Sequence, residues 1–224
     1  YYPDPQNGCV TVSGLAKGEG TLRLTALWEG KPVGEKTIAV QDGFFTTQLD
    51  LEEIHLWEAG KGGLYTLLLS LENDQVSSYF GLRTVAFQGR KFLLNGKPLF
   101  QRFVLDQGFY PDGIYTAPTE EDLIQDITLS FAAGFNGARL HEKVFEPRFL
   151  YHCDRLGYLV WGEFPNWGLD HSHPLATEIV LNQWSEAVER DCNHPAIIGW
   201  CPFNETWGYH EEKEQNALLS SLYK

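Results

Sequence analysis

The 224-residue sequence contains no methionine, not even at its start, and so reads as an excised piece of a longer chain. Its four cysteines, Cys9, Cys153, Cys192 and Cys201, fall in no CxxC or Cys/His ligand spacing. No zinc or other metal site is therefore expected, and buried thiols are the simpler reading. No apolar run approaches the roughly 20 residues that cross a bilayer, so no membrane partner is expected. The opening Tyr1-Tyr2-Pro3-Asp4-Pro5 lacks the basic and then apolar stretches of a secretory leader, which leaves a cytoplasmic location as the default. Positive charge is scarce: 17 lysines and arginines face 30 aspartates and glutamates, for a formal net charge of -13. Such a surface repels nucleic acid and anionic membranes alike, and a neutral ligand is the expectation.

What the sequence does have is apolar material, 43% hydrophobic and 14% aromatic, enough for two ordinary domains with packed cores. Residues 1–84 are written in short alternating runs, among them Cys9-Val10-Thr11-Val12-Ser13, Thr21 to Trp28, Lys36 to Val40, Phe44 to Leu49 and Tyr65 to Leu71. Period-two patterning, punctuated by Trp28-Glu29-Gly30-Lys31-Pro32 and Gln41-Asp42-Gly43, predicts an antiparallel sandwich of about seven strands. From residue 85 the pattern changes. Phe92-Leu93-Leu94-Asn95-Gly96-Lys97-Pro98-Leu99-Phe100 is a hairpin built on Asn-Gly.

After the hairpin, strands and helices alternate. Phe103-Val104-Leu105 is followed by a helix that Thr119 caps and Gly134 stops; Phe135 to Leu140 is followed by a helix ending near Gly157. Tyr158 to Glu163 precedes a helix reaching Cys192, and Ala196 to Phe203 precedes a helix over 213–222. Four βα units in a row imply a parallel sheet with right-handed crossovers. A complete (β/α)8 barrel takes about 250 residues, and only half of that follows the hairpin. The predicted fold is multidomain, β plus α/β: an immunoglobulin-like β-sandwich over 1–84, then a partial TIM barrel of four βα units over 85–224.

In parallel α/β folds the chemistry gathers at the carboxyl ends of the strands. Here the first strand ends in Asp106-Gln107, the second in Arg139 and His141-Glu142, the third in Glu163 and the fourth in Asn204-Glu205. The adjoining loops carry Phe109, Tyr110, Trp161, Phe164, Trp167, Trp207 and Tyr209. Apolar ring faces with hydrogen-bonding groups between them suit a carbohydrate, whose hydroxyl edges flank C–H faces. Trp161 and Phe164 read equally well as core packing.

Four stretches, in order, resemble glycoside hydrolase family 2, the group of β-galactosidases, β-glucuronidases and β-mannosidases. Tyr79-Phe80-Gly81-Leu82-Arg83 is similar to the F-G-F-R end of the family's immunoglobulin-like domain, and Phe92 to Pro98 to its F-x-L-N-G-K-P hairpin. Gly134 to Arg139 is similar to its G-x-N-x-x-R strand. Asn193-His194-Pro195-Ala196-Ile197-Ile198-Gly199-Trp200 leading to Asn204-Glu205 resembles its fourth barrel strand.

The resemblance implies a retaining, two-carboxylate mechanism without a cofactor, with Glu205 as acid/base, aided by burial beside Trp200 and Trp207. It places Asn204 on the 2-hydroxyl of the sugar, and Arg139, Glu163, Asp106, His141, Trp167 and Trp207 around the substrate. An Arg139–Glu163 pair bracing two strands is a second role for those two residues. The family's nucleophile, a glutamate at the seventh strand, is expected beyond Lys224, so the piece alone is expected to be inactive. Leu140-His141-Glu142-Lys143 stands where many members have S-H-Y-P, so the resemblance does not choose the sugar. Open sheet edges make a homo-oligomer a possible partner state, and a non-catalytic carbohydrate-binding protein is the alternative function.

Overall fold

A computed structural model describes residues 1–207 and 210–221. Contacts divide the chain into two compact units, Tyr1–Phe100 with Asp154–Gly157, and Gln101–Cys153 with Tyr158–Lys224.

The first unit begins with seven strands: β1 (Tyr2–Asp4), β2 (Cys9–Ala16), β3 (Gly20–Trp28), β4 (Lys31–Val40), β5 (Gly43–Asp50), β6 (Tyr65–Leu71) and β7 (Asp74–Phe80). They form two antiparallel sheets, ordered β1-β2-β5 and β4-β3-β6-β7. Alternation turns Val10, Val12 and Leu49 from one sheet, and Leu22, Leu24, Ala26, Leu67 and Phe80 from the other, into a single buried core. Tyr65 lies in the same core, its ring stacked on Phe80 at 5.0 Å. The period-two reading finds β2 to β6 and misses β1 and β7. Both are outer strands: β1 contains Pro3, which has no N–H to give a ladder, and most of β7 faces solvent, so neither displays an apolar alternation.

A small antiparallel sheet follows, β8 (Val85–Gln88), β9 (Lys91–Leu94) and β10 (Lys97–Pro98). Leu94 pairs with Lys97 across Asn95-Gly96, whose φ values of 52° and 73° are the two left-handed positions that such a turn demands. The Asn95 amide also ties the turn down, donating to the Trp57 carbonyl at 2.9 Å and accepting from the Thr84 N–H at 3.0 Å.

The second unit contains four parallel strands in sequential order, β11 (Phe103–Asp106), β12 (Gly137–Leu140), β13 (Leu159–Glu163) and β14 (Ile197–Cys201). Between and after them lie α1 (Glu120–Ala132), α2 (Pro147–Leu156), α3 (Ala176–Asp191) and α4 (Glu212–Leu219). Thr119 caps α1 as read from the sequence: its hydroxyl accepts the Asp122 N–H while the Asp122 carboxylate accepts the Thr119 N–H, a complete capping box. Pro147 opens α2, where its missing N–H costs nothing. Val180 and Trp184 of α3 pack with Phe164 and Leu219 in a second core cluster. The strands are shorter than their apolar runs suggest: Phe135 and Asn136 precede β12, and Pro202 and Phe203 follow β14 without ladder bonds. Leu222, the expected last residue of α4, lies outside the described residues.

Of the cysteines, Cys9 and Cys153 are buried as expected, whereas Cys192 is exposed and Cys201 half-buried.

Candidate active site

Parallel pairing in register puts the last residues of β11 to β14 at one end of the sheet. Asp106 pairs with Leu140, Arg139 with Trp161, and Glu163 with Cys201. The residues just beyond these ends, His141, Glu142, Asn166, Trp167, Asn204 and Glu205, therefore share a neighbourhood although they are scattered over some 65 positions of sequence.

Glu163 is the hub. Its side chain is fully buried, and its two oxygens accept three hydrogen bonds: Oε2 from Arg139 Nε at 2.5 Å, Oε1 from His141 Nδ1 at 2.7 Å and from the Glu142 backbone N–H at 3.1 Å. Because a carboxylate only accepts, the bond fixes the proton of His141 on Nδ1. Arg139 extends the network, its Nη2 donating to Asn204 Oδ1 at 2.6 Å and lying 3.6 Å from Cys201 Sγ. Burial works against the Arg139 cation, but the bonds and charges of Glu163 and Cys201 together outweigh it and hold the guanidinium above its usual range.

Asn204 is held from the other side by Asn166, which accepts the Asn204 N–H at 2.7 Å and donates to its carbonyl at 3.0 Å. This reciprocal pair fixes the backbone that carries Glu205. Asn166 is buried, and sequence reasoning does not single it out, since an asparagine in a Pro-Asn-Trp loop reads as a turn residue. Asn204 Nδ2 is buried and has no hydrogen-bond partner among the described residues. A buried donor so placed is costly unless a ligand completes it.

The remaining sequence candidates separate into two groups. Trp167 stands edge-on to His141 with ring centroids 5.0 Å apart, and its backbone N–H donates to Glu142 Oε2 at 3.0 Å; the residue is 55% exposed. Glu205 and Trp207 are exposed, and among the described residues no hydrogen bond ties Glu205 to the network. The burial expected around Glu205 is thus not supplied by Trp207, which is 83% exposed, nor by Trp200, whose ring packs on Trp184 at 5.6 Å. Both Glu142 and Glu205 sit in left-handed backbone, at φ 51° and 55°. Phe164 belongs to the core, and Trp161 lines an open groove of about 310 Å³ with Phe103, Leu105 and Arg139. Tyr209 lies outside the described residues.

Asp106 turns its carboxylate to its own loop, accepting the Gly108 N–H at 2.8 Å, and burial raises its pKa. Lys143 pins that loop. Its ammonium donates to the carbonyls of Gly108 and Tyr115 at 2.9 and 2.8 Å and lies 4.4 Å from the Tyr115 ring centre. Gly108, at φ 63°, leaves room for it, since a Cβ there would meet Nζ at 2.6 Å.

His141, Glu142 and Glu163 bring ligand atoms within 4.8 Å of one another, a grouping that suits a cation. Glu163 is already neutralised by Arg139, whose positive charge opposes a second one.

Models of the family described as glycosyl hydrolases family 2 match the chain twice, over residues 6–83 and, as its TIM barrel domain, over residues 85–224. The chain belongs to this family. Relatives of the chain include a β-galactosidase of Vibrio vulnificus, 31% identical over 205 residues, and one of Thermoanaerobacterium thermosulfurigenes, 28% identical over 166 residues. The alignments cover 84% and 72% of this chain but 20% and 23% of those proteins. Among solved structures, a Bifidobacterium dentium β-glucuronidase complexed with coumarin-3-O-glucuronide superposes with a TM-score of 0.84 at 22% identity. A Ruminococcus gnavus β-glucuronidase in complex with D-glucuronic acid gives 0.81 at 22% identity. Each match covers 96% of this chain, and 37% and 38% of the neighbour respectively. At such identities the likeness is one of fold.

Proposed function

We propose that this family 2 chain supplies one half of the active site of a retaining glycoside hydrolase, with Glu205 as general acid/base. In this reading residues 1–84 form a supporting sandwich domain, and β11 to β14 with their helices are the first four βα units of a (β/α)8 barrel. The observation that carries the proposal is the placement of Asn204-Glu205 just beyond β14, with Asn204 gripped by Arg139 and Asn166 and its Nδ2 left without a partner among the described residues.

The chemistry follows from that placement. Glu205 gives its proton to the glycosidic oxygen as the C–O bond breaks, and a second carboxylate attacks the anomeric carbon from the opposite face. Glu205 then takes a proton from water, which displaces the carboxylate and returns the enzyme to its starting state. Asn204 Nδ2 donates to a hydroxyl of the sugar ring. Arg139, Glu163 and His141 hold Asn204 in place, while Trp167, Trp207 and Asp106 border the sugar. The second carboxylate belongs to a segment outside these 224 residues, in keeping with the small share of its relatives that the chain spans.

The test uses the full-length protein and aryl and alkyl β-glycosides of several sugars. Glu205→Gln should lose alkyl glycoside turnover by about 1,000-fold and retain far more on a dinitrophenyl glycoside, which needs no protonation to depart. Equal alkyl glycoside turnover by the variant and the parent would refute the assignment.

A further inference from the structure

The proposed chemistry leaves one carboxylate of the site without a task. Glu142 is in left-handed backbone, its N–H spent on Glu163 and its Oε2 on the Trp167 N–H. Its Oε1 is buried and has no hydrogen-bond partner among the described residues. A strained position holding an unsatisfied acceptor beside the substrate hub is an expensive arrangement for packing alone.

The charges around it are committed. Arg139 lies between Glu163 and Asn204, His141 donates to Glu163, and Lys143 is taken up by the carbonyls of Gly108 and Tyr115. Asp106 adds a further carboxylate at the same strand ends. Arg139 of β12 and Lys143 just beyond it are therefore both committed, and neither is left to receive a ligand carboxylate.

From this arrangement, and resting on the glycosidase reading of the site, we propose that Glu142 determines specificity. Its carboxylate accepts a hydroxyl of a neutral sugar and turns away a uronic acid. A carboxylate can only accept, so it selects a hydroxyl donor and penalises a ligand that brings no proton to it. A second carboxylate carried by the ligand meets like-charge repulsion in a partly desolvated cleft. The proposal separates this chain from its glucuronate-binding structural neighbours, whose fold it shares.

The experiment measures kcat/KM of the full-length protein on p-nitrophenyl β-galactoside, β-glucoside, β-mannoside and β-glucuronide, with thermal melting as the control for folding. The parent should favour its best neutral substrate over the glucuronide by about 100-fold or more. Glu142→Gln, which keeps an acceptor for Trp167 and removes the charge, should narrow that ratio by about tenfold or more. Glu142→Asp, which keeps the charge, should preserve it. A parent that prefers the glucuronide overturns the proposal, as does an unmoved ratio in a folded Glu142→Gln. Should Glu142→Gln fail to fold, inhibition of the parent decides: galactose or glucose binding more tightly than glucuronate supports the proposal, and the reverse order overturns it. Absence of hydrolysis on every glycoside would sink the glycosidase reading itself, whereas hydrolysis with an unmoved ratio sinks only the role of Glu142.

Discussion

Arg139 and Glu163 lie on adjacent strands, β12 and β13, and meet through a 2.5 Å bond from Nε to Oε2 in which the glutamate side chain is wholly buried and the arginine side chain 30% exposed. The pair braces the sheet and also aims the arginine at Asn204. The two roles anticipated for these residues are compatible in a single geometry.

Breaking this pair should be costly because the surviving partner stays buried. Arg139→Leu is expected to lower stability by about 2–4 kcal/mol, the partial exposure of the guanidinium keeping it toward the lower end. Glu163→Gln should cost a comparable amount, and the double variant distinctly less than the sum. Urea denaturation of the three variants provides the measurement; losses that add within about 0.5 kcal/mol would show that the two side chains are not coupled.

Glu205 combines exposure with left-handed backbone, φ 55°. A residue with a side chain pays strain there that glycine does not. Glu205→Gly should therefore raise stability by about 0.5–1 kcal/mol while hydrolysis falls at least about 100-fold. Paired denaturation and turnover measurements test both halves. A less stable glycine variant would mean that the Glu205 side chain makes contacts worth more than the strain.

Asp106 predicts a pH effect. Burial raises its carboxyl above the ordinary 3.8, chiefly by desolvation. Between 3.8 and the raised value the unfolded chain has released a proton that the folded chain still holds, so stability falls as pH rises through that window and stays lower above it. Asp106→Asn keeps an acceptor for the Gly108 N–H and removes the charge. Its melting temperature should equal or exceed the parent's at pH 7, and the advantage should vanish near pH 3. A clear loss at pH 7 would argue that the charge itself is used, most directly by nearby Lys143.

Much of the fold was legible because its signals are local. Asn95-Gly96 can form its turn whatever surrounds it, and Thr119 and Asp122 cap α1 using atoms only three residues apart. Leu22, Leu24 and Ala26 alternate because a strand buried on one face must. Strands β1 and β7 were not legible, since β1 is three residues around Pro3 and most of β7 faces solvent, so neither shows an apolar alternation. Within the site, the sequence supplied the ends of the strands and so the candidates Asp106, Arg139, His141, Glu163, Asn204 and Glu205. It did not supply Asn166, whose importance lies in two bonds to a residue 38 positions away.

The sequence by itself determined the family and the order of elements, because motifs, caps and apolar periods act over a few residues. Only the tertiary structure decided which polar groups are spent and which are left. Glu163 could have faced solvent, and Lys143 could have faced a ligand; parallel pairing instead closes the first around Arg139 and His141 and commits the second to two carbonyls. Those partners lie 22 to 35 residues apart in the chain, a separation over which local propensity carries no information and only the register of the sheet sets who meets whom.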